Sequence, residues 1–143
     1  MPFGKYKTAM IFDEPNILAV SKVLQRAEIQ QAHYTSCFDK ASETTFVYLD
    51  PPYRPISQTA SFTTYTGASF DEQLAQFFRK LDQEKRAKLM LSNSDPNNEN
   101  PNDDFFEKAY SGYNIFRVSA SRTVNCNGEK RGKINEILIT NYQ

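Results

Sequence analysis

The apolar run Phe46-Val47-Tyr48-Leu49 stops at Asp50-Pro51-Pro52-Tyr53. Its aromatic and branched residues read as a buried strand. Two consecutive prolines cannot continue it, because each fixes φ and lacks an N–H, and each pushes the residue before it into an extended conformation. The strand therefore ends in a stiff turn presenting a carboxylate, the Pro51 carbonyl and an aromatic ring together. In open α/β sheets, ligands sit at that end of the strands. The chemistry suits a flat heterocycle carrying an amino group. Asp50 and the Pro51 carbonyl can accept its two N–H bonds, and the Tyr53 ring can stack on its face. Two plainer readings stand beside this one. Asp-Pro-Pro is also a common way to leave a strand, with Tyr53 merely packing. Pro52 and Pro55 make a minimal P-x-x-P, a polyproline-ligand signal.

Patterning around this turn implies alternating helices and strands. Asn16 can cap a helix running to about Ala27, with Ile17, Leu18, Val20, Val23 and Leu24 on its apolar face. Glu28 to Thr35 reads as a strand. Residues 54–69 form a Ser/Thr-rich loop carrying Phe62 and Tyr65. Ser69 or Asp71 caps a helix ending near Arg86, with Leu74, Phe77, Phe78 and Leu81 at helical spacing. Leu89 to Leu91 is a strand ending in Ser92-Asn93-Ser94-Asp95, and the Asn/Pro-rich run 96–102 is a loop, open to mobility. A short helix is expected over Asp103 to Tyr110. Residues 114–119 and 134–140 alternate and form a β-hairpin around a long loop containing Asn127-Gly128. The fold class is α/β, a mostly parallel sheet with an antiparallel C-terminal hairpin.

At 143 residues the chain is one domain or part of one, and 39% apolar residues suffice for a core. The 17 basic and 17 acidic residues cancel, so any nucleic-acid contact must rest on local charge. From Tyr113 onward five basic residues (Arg117, Arg122, Lys130, Arg131, Lys133) face two acidic ones, while Asp95, Glu99, Asp103, Asp104 and Glu107 cluster before them. Each cluster is either a binding patch or a solvated face. Cys37 and Cys126 have no metal spacing, and with His33 as the sole histidine, His-based metal sites and serine triads are effectively out. No metal is expected. Met1-Pro2-Phe3-Gly4-Lys5 lacks an apolar signal-peptide core, and no run nears transmembrane length. The expectation is a cytoplasmic chain with no membrane partner.

In order along the chain, Pro2-Phe3-Gly4-Lys5-Tyr6-Lys7, Asp50-Pro51-Pro52-Tyr53, Leu91-Ser92-Asn93, and Arg122-Thr123-Val124 with Arg131-Gly132-Lys133 and Glu136-Ile137-Leu138 resemble motifs of the adenine-specific DNA methyltransferases of the Dam-like family. The resemblance covers essentially the whole chain. It implies a partial Rossmann-like methyltransferase fold, with residues 1–15 ending a target-recognition and DNA-contact segment and residues 16–143 forming the C-terminal part of the catalytic domain. It implies transfer of methyl from S-adenosylmethionine to the exocyclic amine of an adenine flipped out of double-stranded DNA, within GATC in the most similar members. Asp50, Pro51, Pro52 and Tyr53 would be catalytic. Asp50, Cys37 and Phe38 would face the methyl donor, although Cys37 and Phe38 equally suit packing at a strand end. Lys5, Tyr6, Lys7, Arg122, Lys130 and Arg131 would contact DNA, with Lys133 beside them. Phe62 and Tyr65 would form a lid over the base or pack down as ordinary loop aromatics. Asn93 would either orient the catalytic loop or cap a turn.

The family's N-terminal glycine-rich donor motif has no counterpart here, since the five glycines are dispersed and none makes a G-x-G turn. The chain begins where the second half of a family member would begin. The expectation is an exposed strand edge and apolar face, low stability or self-association, and little donor affinity without an N-terminal half. The other reading is an inactive remnant that only binds nucleic acid. A third reading, an RNA or protein amino-group methyltransferase, lacks support from the DNA-contact-like start and the hairpin.

Overall fold

A computed structural model describes residues 12–54, 69–122 and 132–143. They fall into two compact units, Met1–Tyr34 and Thr35–Gln143. In the first unit, helix α1 spans Glu14–Leu24. Asp13 caps it by accepting from the Asn16 N–H at 3.2 Å, and Pro15 sits in the first turn, where its missing N–H costs nothing. The cap is therefore Asp13, with Asn16 as its donor, and the helix starts earlier than its apolar spacing suggests. Ile17, Leu18, Val20, Val23 and Leu24 are all exposed.

The second unit is a four-stranded sheet with helices between its strands. Strands β1 (Phe46–Leu49), β2 (Lys88–Ser94), β3 (Asn114–Arg122) and β4 (Gly132–Thr140) lie in the order β1-β2-β4-β3. The β1–β2 pair is parallel, and α2 (Phe70–Lys80) lies between the two in sequence. Strand β4 pairs antiparallel with both β2 and β3, so the expected C-terminal hairpin is present in a mixed α/β sheet. The expected strand over Glu28–Thr35 does not form. Residues 28–33 have no regular structure and Tyr34–Lys40 is a 3₁₀ turn. A strand needs a ladder partner, and among the described residues none pairs with this segment, where Ile29 is 77% exposed.

Alternation places the core on one side of the sheet. Leu49, Leu89, Leu91, Ile137 and Ile139 share a face and are buried, while Leu74, Phe77 and Phe78 form the buried stripe of α2. Phe78 meets Tyr110 and Tyr113 edge-on at 5.4 and 4.9 Å, beside the short helix α3 (Phe105–Ala109). The opposite sheet face carries Phe46, Tyr48, Phe116 and Val118, all exposed. Among the described residues, nothing pairs with the outer edge of β1.

Helix α2 does not end as a simple α-helix. Leu81–Lys85 continues it as a π turn, closed by Arg86 at φ 56°. Asp82 holds this turn, accepting from the Tyr113 hydroxyl at 3.0 Å and from the Asn141 amide at 2.7 Å. Asn141 also donates to the Ala87 carbonyl and accepts from the Leu89 N–H, which ties the turn to the start of β2. Burial and then Asp82 push the Tyr113 phenol up to about 12. A group raised in the folded state above its unfolded value of about 10 contributes stability that is complete below that pH and lost toward the folded value. The melting temperature should therefore fall more steeply between pH ~10 and ~12 in the wild type than in Tyr113→Phe.

Candidate active site

Strands β1 and β2 end side by side, with Tyr48 opposite Met90 and Leu49 opposite Leu91. The pleat puts Tyr48 and Asp50 on one face, and Ser92, two residues beyond Met90, on that same face. The Ser92 hydroxyl donates to Asp50 Oδ1 at 2.9 Å, and the Tyr48 hydroxyl donates to Ser92 Oγ at 2.9 Å. Ser92 is 3% exposed, whereas Asp50 is open to solvent. A buried hydroxyl thus grips an exposed carboxylate.

The far end of the Pro-Pro turn is held as well. Asn93 Oδ1 accepts from the Arg54 and Ser94 N–H groups, both at 2.8 Å, and the Ser94 hydroxyl donates to the Arg54 carbonyl at 2.6 Å. Of the two readings of Asn93, orienting the loop is the one this geometry supports. The Arg54 guanidinium lies 4.1 Å above the Phe105 ring and 3.5 Å from Asp103 Oδ1. Truncating Asn93 to Ala removes the acceptor of two N–H groups. It should destabilise the fold by about 1–3 kcal/mol and speed hydrogen exchange at the Arg54 amide. Unchanged protection at Arg54 would contradict the clamp.

Between these anchors, Tyr53 is 37% exposed. Burial pushes its phenol up, the hydroxyl of Ser92 opposes this, and Glu136, Asp50 and Tyr48 add to the rise. The ring is thus a neutral aromatic surface beside the Asp50 carboxylate. Glu136 reaches this neighbourhood from β4, opposite Ser94.

Beyond β2, Asp95 is 1% exposed and bonds the Arg117 Nε at 2.9 Å. Arg117 also bonds Glu107. The buried charge is therefore compensated, and Arg117 is an ion-pair residue rather than part of a basic patch. Asn98 bridges the Asp95 and Asn135 carbonyls and accepts from the Asn135 N–H, so the Asn/Pro-rich run is tied to β4.

The other expected site residues are not all brought to this place. Cys37 and Phe38 lie in the 3₁₀ turn, half-buried, rather than at a strand end. Burial pushes the Cys37 thiol up. The Phe38 ring sits 6.5 Å from Phe77, with the Lys80 and Lys85 ammoniums 4.4 and 4.3 Å from its centre. Lys5, Tyr6, Lys7, Phe62, Tyr65, Lys130 and Arg131, and the side chain of Arg122, lie outside the described residues. Among the described residues, no acidic, His or Cys cluster suits a metal ion, and no helix is long and apolar enough to cross a membrane.

The sequence has relatives among known proteins. Residues 1–124 match the family model of the D12 class N6 adenine-specific DNA methyltransferases. The chain belongs to that family. It is 46% identical to the type II methyltransferase M.MjaIII of Methanocaldococcus jannaschii over 147 residues, covering 99% of this chain and 48% of that protein. It is 36% identical to the type II methyltransferase M1.LlaDCHI of Lactococcus lactis subsp. cremoris, covering 99% of this chain and 49% of that protein. A DNA adenine methylase of Vibrio cholerae is 34% identical over 142 residues, covering 96% of this chain and 48% of that protein. The chain spans about half the length of the curated relatives it matches.

In this family member the grip of Ser92 and Tyr48 on Asp50 was not evident from local sequence. The available signal was the pairing of two strand ends, Tyr48-Leu49-Asp50 and Leu91-Ser92-Asn93, which matters only once a parallel register is set.

Proposed function

We propose that this chain carries the amino-group end of a DNA adenine N6-methyltransferase site, using S-adenosylmethionine as methyl donor. The observation that carries this reading is the exposed Asp50 carboxylate, fixed by Ser92 and followed by the Pro51 carbonyl and the Tyr53 ring. An adenine amino lone pair is delocalised into the ring and is a poor nucleophile. Hydrogen bonds from its two protons to Asp50 and the Pro51 carbonyl localise that pair toward the incoming methyl group. No covalent enzyme nucleophile is required, and much of the remainder is alignment. The donor supplies a methyl group on a positively charged sulfur. The Asp50 carboxylate suits that charge, and the half-buried Phe38 ring and Cys37 suit its adenine, which must share the ring with two ammoniums.

The base leaves the duplex at a cost of a few kcal/mol, of which Tyr53 stacking offsets about 1–3 kcal/mol. Phe62 and Tyr65 act as the lid. Lys5, Tyr6 and Lys7 contact the DNA, and Arg122, Lys130 and Arg131 hold phosphates, with exposed Lys133 beside them. Residues 1–15 close the target-recognition segment, residues 16–143 belong to the catalytic domain, and GATC is the recognition site. The setting is cytoplasmic. The exposed face of Phe46, Tyr48, Phe116 and Val118 supports association with an N-terminal half or a second copy.

The test is transfer of labelled methyl to GATC-containing duplex, by the chain alone and with an N-terminal half from a relative. Transfer with that half present is the expected result. DNA binding without transfer in either case, from a folded mixture, supports the inactive-remnant reading instead.

A further inference from the structure

An aspartate side chain usually finds a local partner, because its carboxylate accepts from the N–H one or two residues onward. Asp50 is denied that partner, since both Pro51 and Pro52 lack an N–H. Rotation about the terminal bond of an aspartate is broad and roughly two-fold. An exposed Asp50 left to itself would sample many carboxylate orientations. The neighbouring strand supplies what the turn cannot. The Ser92 hydroxyl donates to Asp50 Oδ1 and accepts from the Tyr48 hydroxyl, both at 2.9 Å, with the Tyr53 phenol also beside it. This gives the chain of bonds one direction, in which each link polarises the next. Among the described residues, the second oxygen, Oδ2, has no hydrogen-bond partner.

We propose that Ser92 and Tyr48 are positioning residues for methyl transfer, locking the Asp50 carboxylate so that Oδ2 is left to receive the amino group of the target base. The role rests on the function proposed above. Ser92 is the inner element, buried and in direct contact with Asp50, and half-exposed Tyr48 is the outer one. The bonds end on an exposed carboxylate and a half-exposed phenol, so their loss should appear more in the reaction than in the fold.

The test uses the chain in its transferring form, with kcat and KM for DNA and for S-adenosylmethionine measured separately. Ser92→Ala should lower kcat roughly ten- to a hundredfold with both KM values nearly unchanged. Ser92→Thr, which keeps the hydroxyl, should recover most of the loss, and Tyr48→Phe should show a smaller one. In an Asp50→Ala background, adding Ser92→Ala should lower the rate no further, because the group that Ser92 positions is already gone. A purely structural role would instead give additive losses and a lowered melting temperature. If Ser92→Ala does not fold, Tyr48→Phe carries the test, and a wild-type kcat in that variant overturns the role. Wild-type transfer with Ser92→Ala unaffected, or additive losses in the double variant, overturns the positioning role alone. No transfer by the wild type overturns the functional reading and this role with it.

Discussion

Replacing Asp50 by Ala should lower the rate of methyl transfer by about 10²–10³-fold while leaving DNA affinity nearly unchanged. The size follows from what the carboxylate does. In the proposed function it accepts a hydrogen bond from an amino group whose lone pair must leave conjugation, an interaction that strengthens as positive charge develops on nitrogen. If ground-state DNA binding rests on phosphate contacts elsewhere, as proposed, it should not register the change. Asp50→Asn keeps the shape and one acceptor oxygen, so its loss should be smaller than that of Asp50→Ala. The comparison is made by single-turnover methyl transfer with saturating DNA. An Asp50→Ala rate within a few-fold of wild type would remove Asp50 from the chemistry.

Phe78→Ala should be the most damaging of the single core changes in the sheet unit. Phe78 is fully buried, with Tyr110 and Tyr113 edge-on against its ring. Truncation deletes the ring's burial, leaves a cavity and strips two aromatic contacts, for a loss of about 3–5 kcal/mol. Against a total of about 5–15 kcal/mol, that is a large share of the stability. The chain has no tryptophan, so urea unfolding is followed by far-ultraviolet circular dichroism. Phe116→Ala, at a ring 49% exposed, is the control and should cost far less. Equal midpoints for the two variants would contradict the placement of the core on one sheet face.

Much of this fold was legible because its signals are local. The apolar run 46–49 before two prolines marked both a strand and its end. The helical spacing of Leu74, Phe77, Phe78 and Leu81 marked a buried helix face, and all of these residues are buried. What stayed hidden depends on distant partners. The π turn at Leu81–Lys85 is held by bonds from Asp82 to Tyr113 and Asn141, both far along the chain. The acidic and basic clusters looked like separate faces, yet Arg117 joins them by pairing with Asp95 and Glu107. Residues 28–35 show some strand character, but among the described residues no strand pairs with them. In the site, the chemical groups of Asp50, Pro51 and Tyr53 could be read directly. Their anchoring by Ser92, Asn93 and Ser94 required the β1–β2 register.

The most direct measurement is nucleoside mass spectrometry of duplex DNA after reaction with S-adenosylmethionine, comparing the wild-type chain and Asp50→Ala, each paired with the N-terminal half of a relative. N6-methyladenine from the wild type and almost none from Asp50→Ala is the result expected if Asp50 acts at the adenine amino group. Methylation of another base, or equal N6-methyladenine from both proteins, would contradict it.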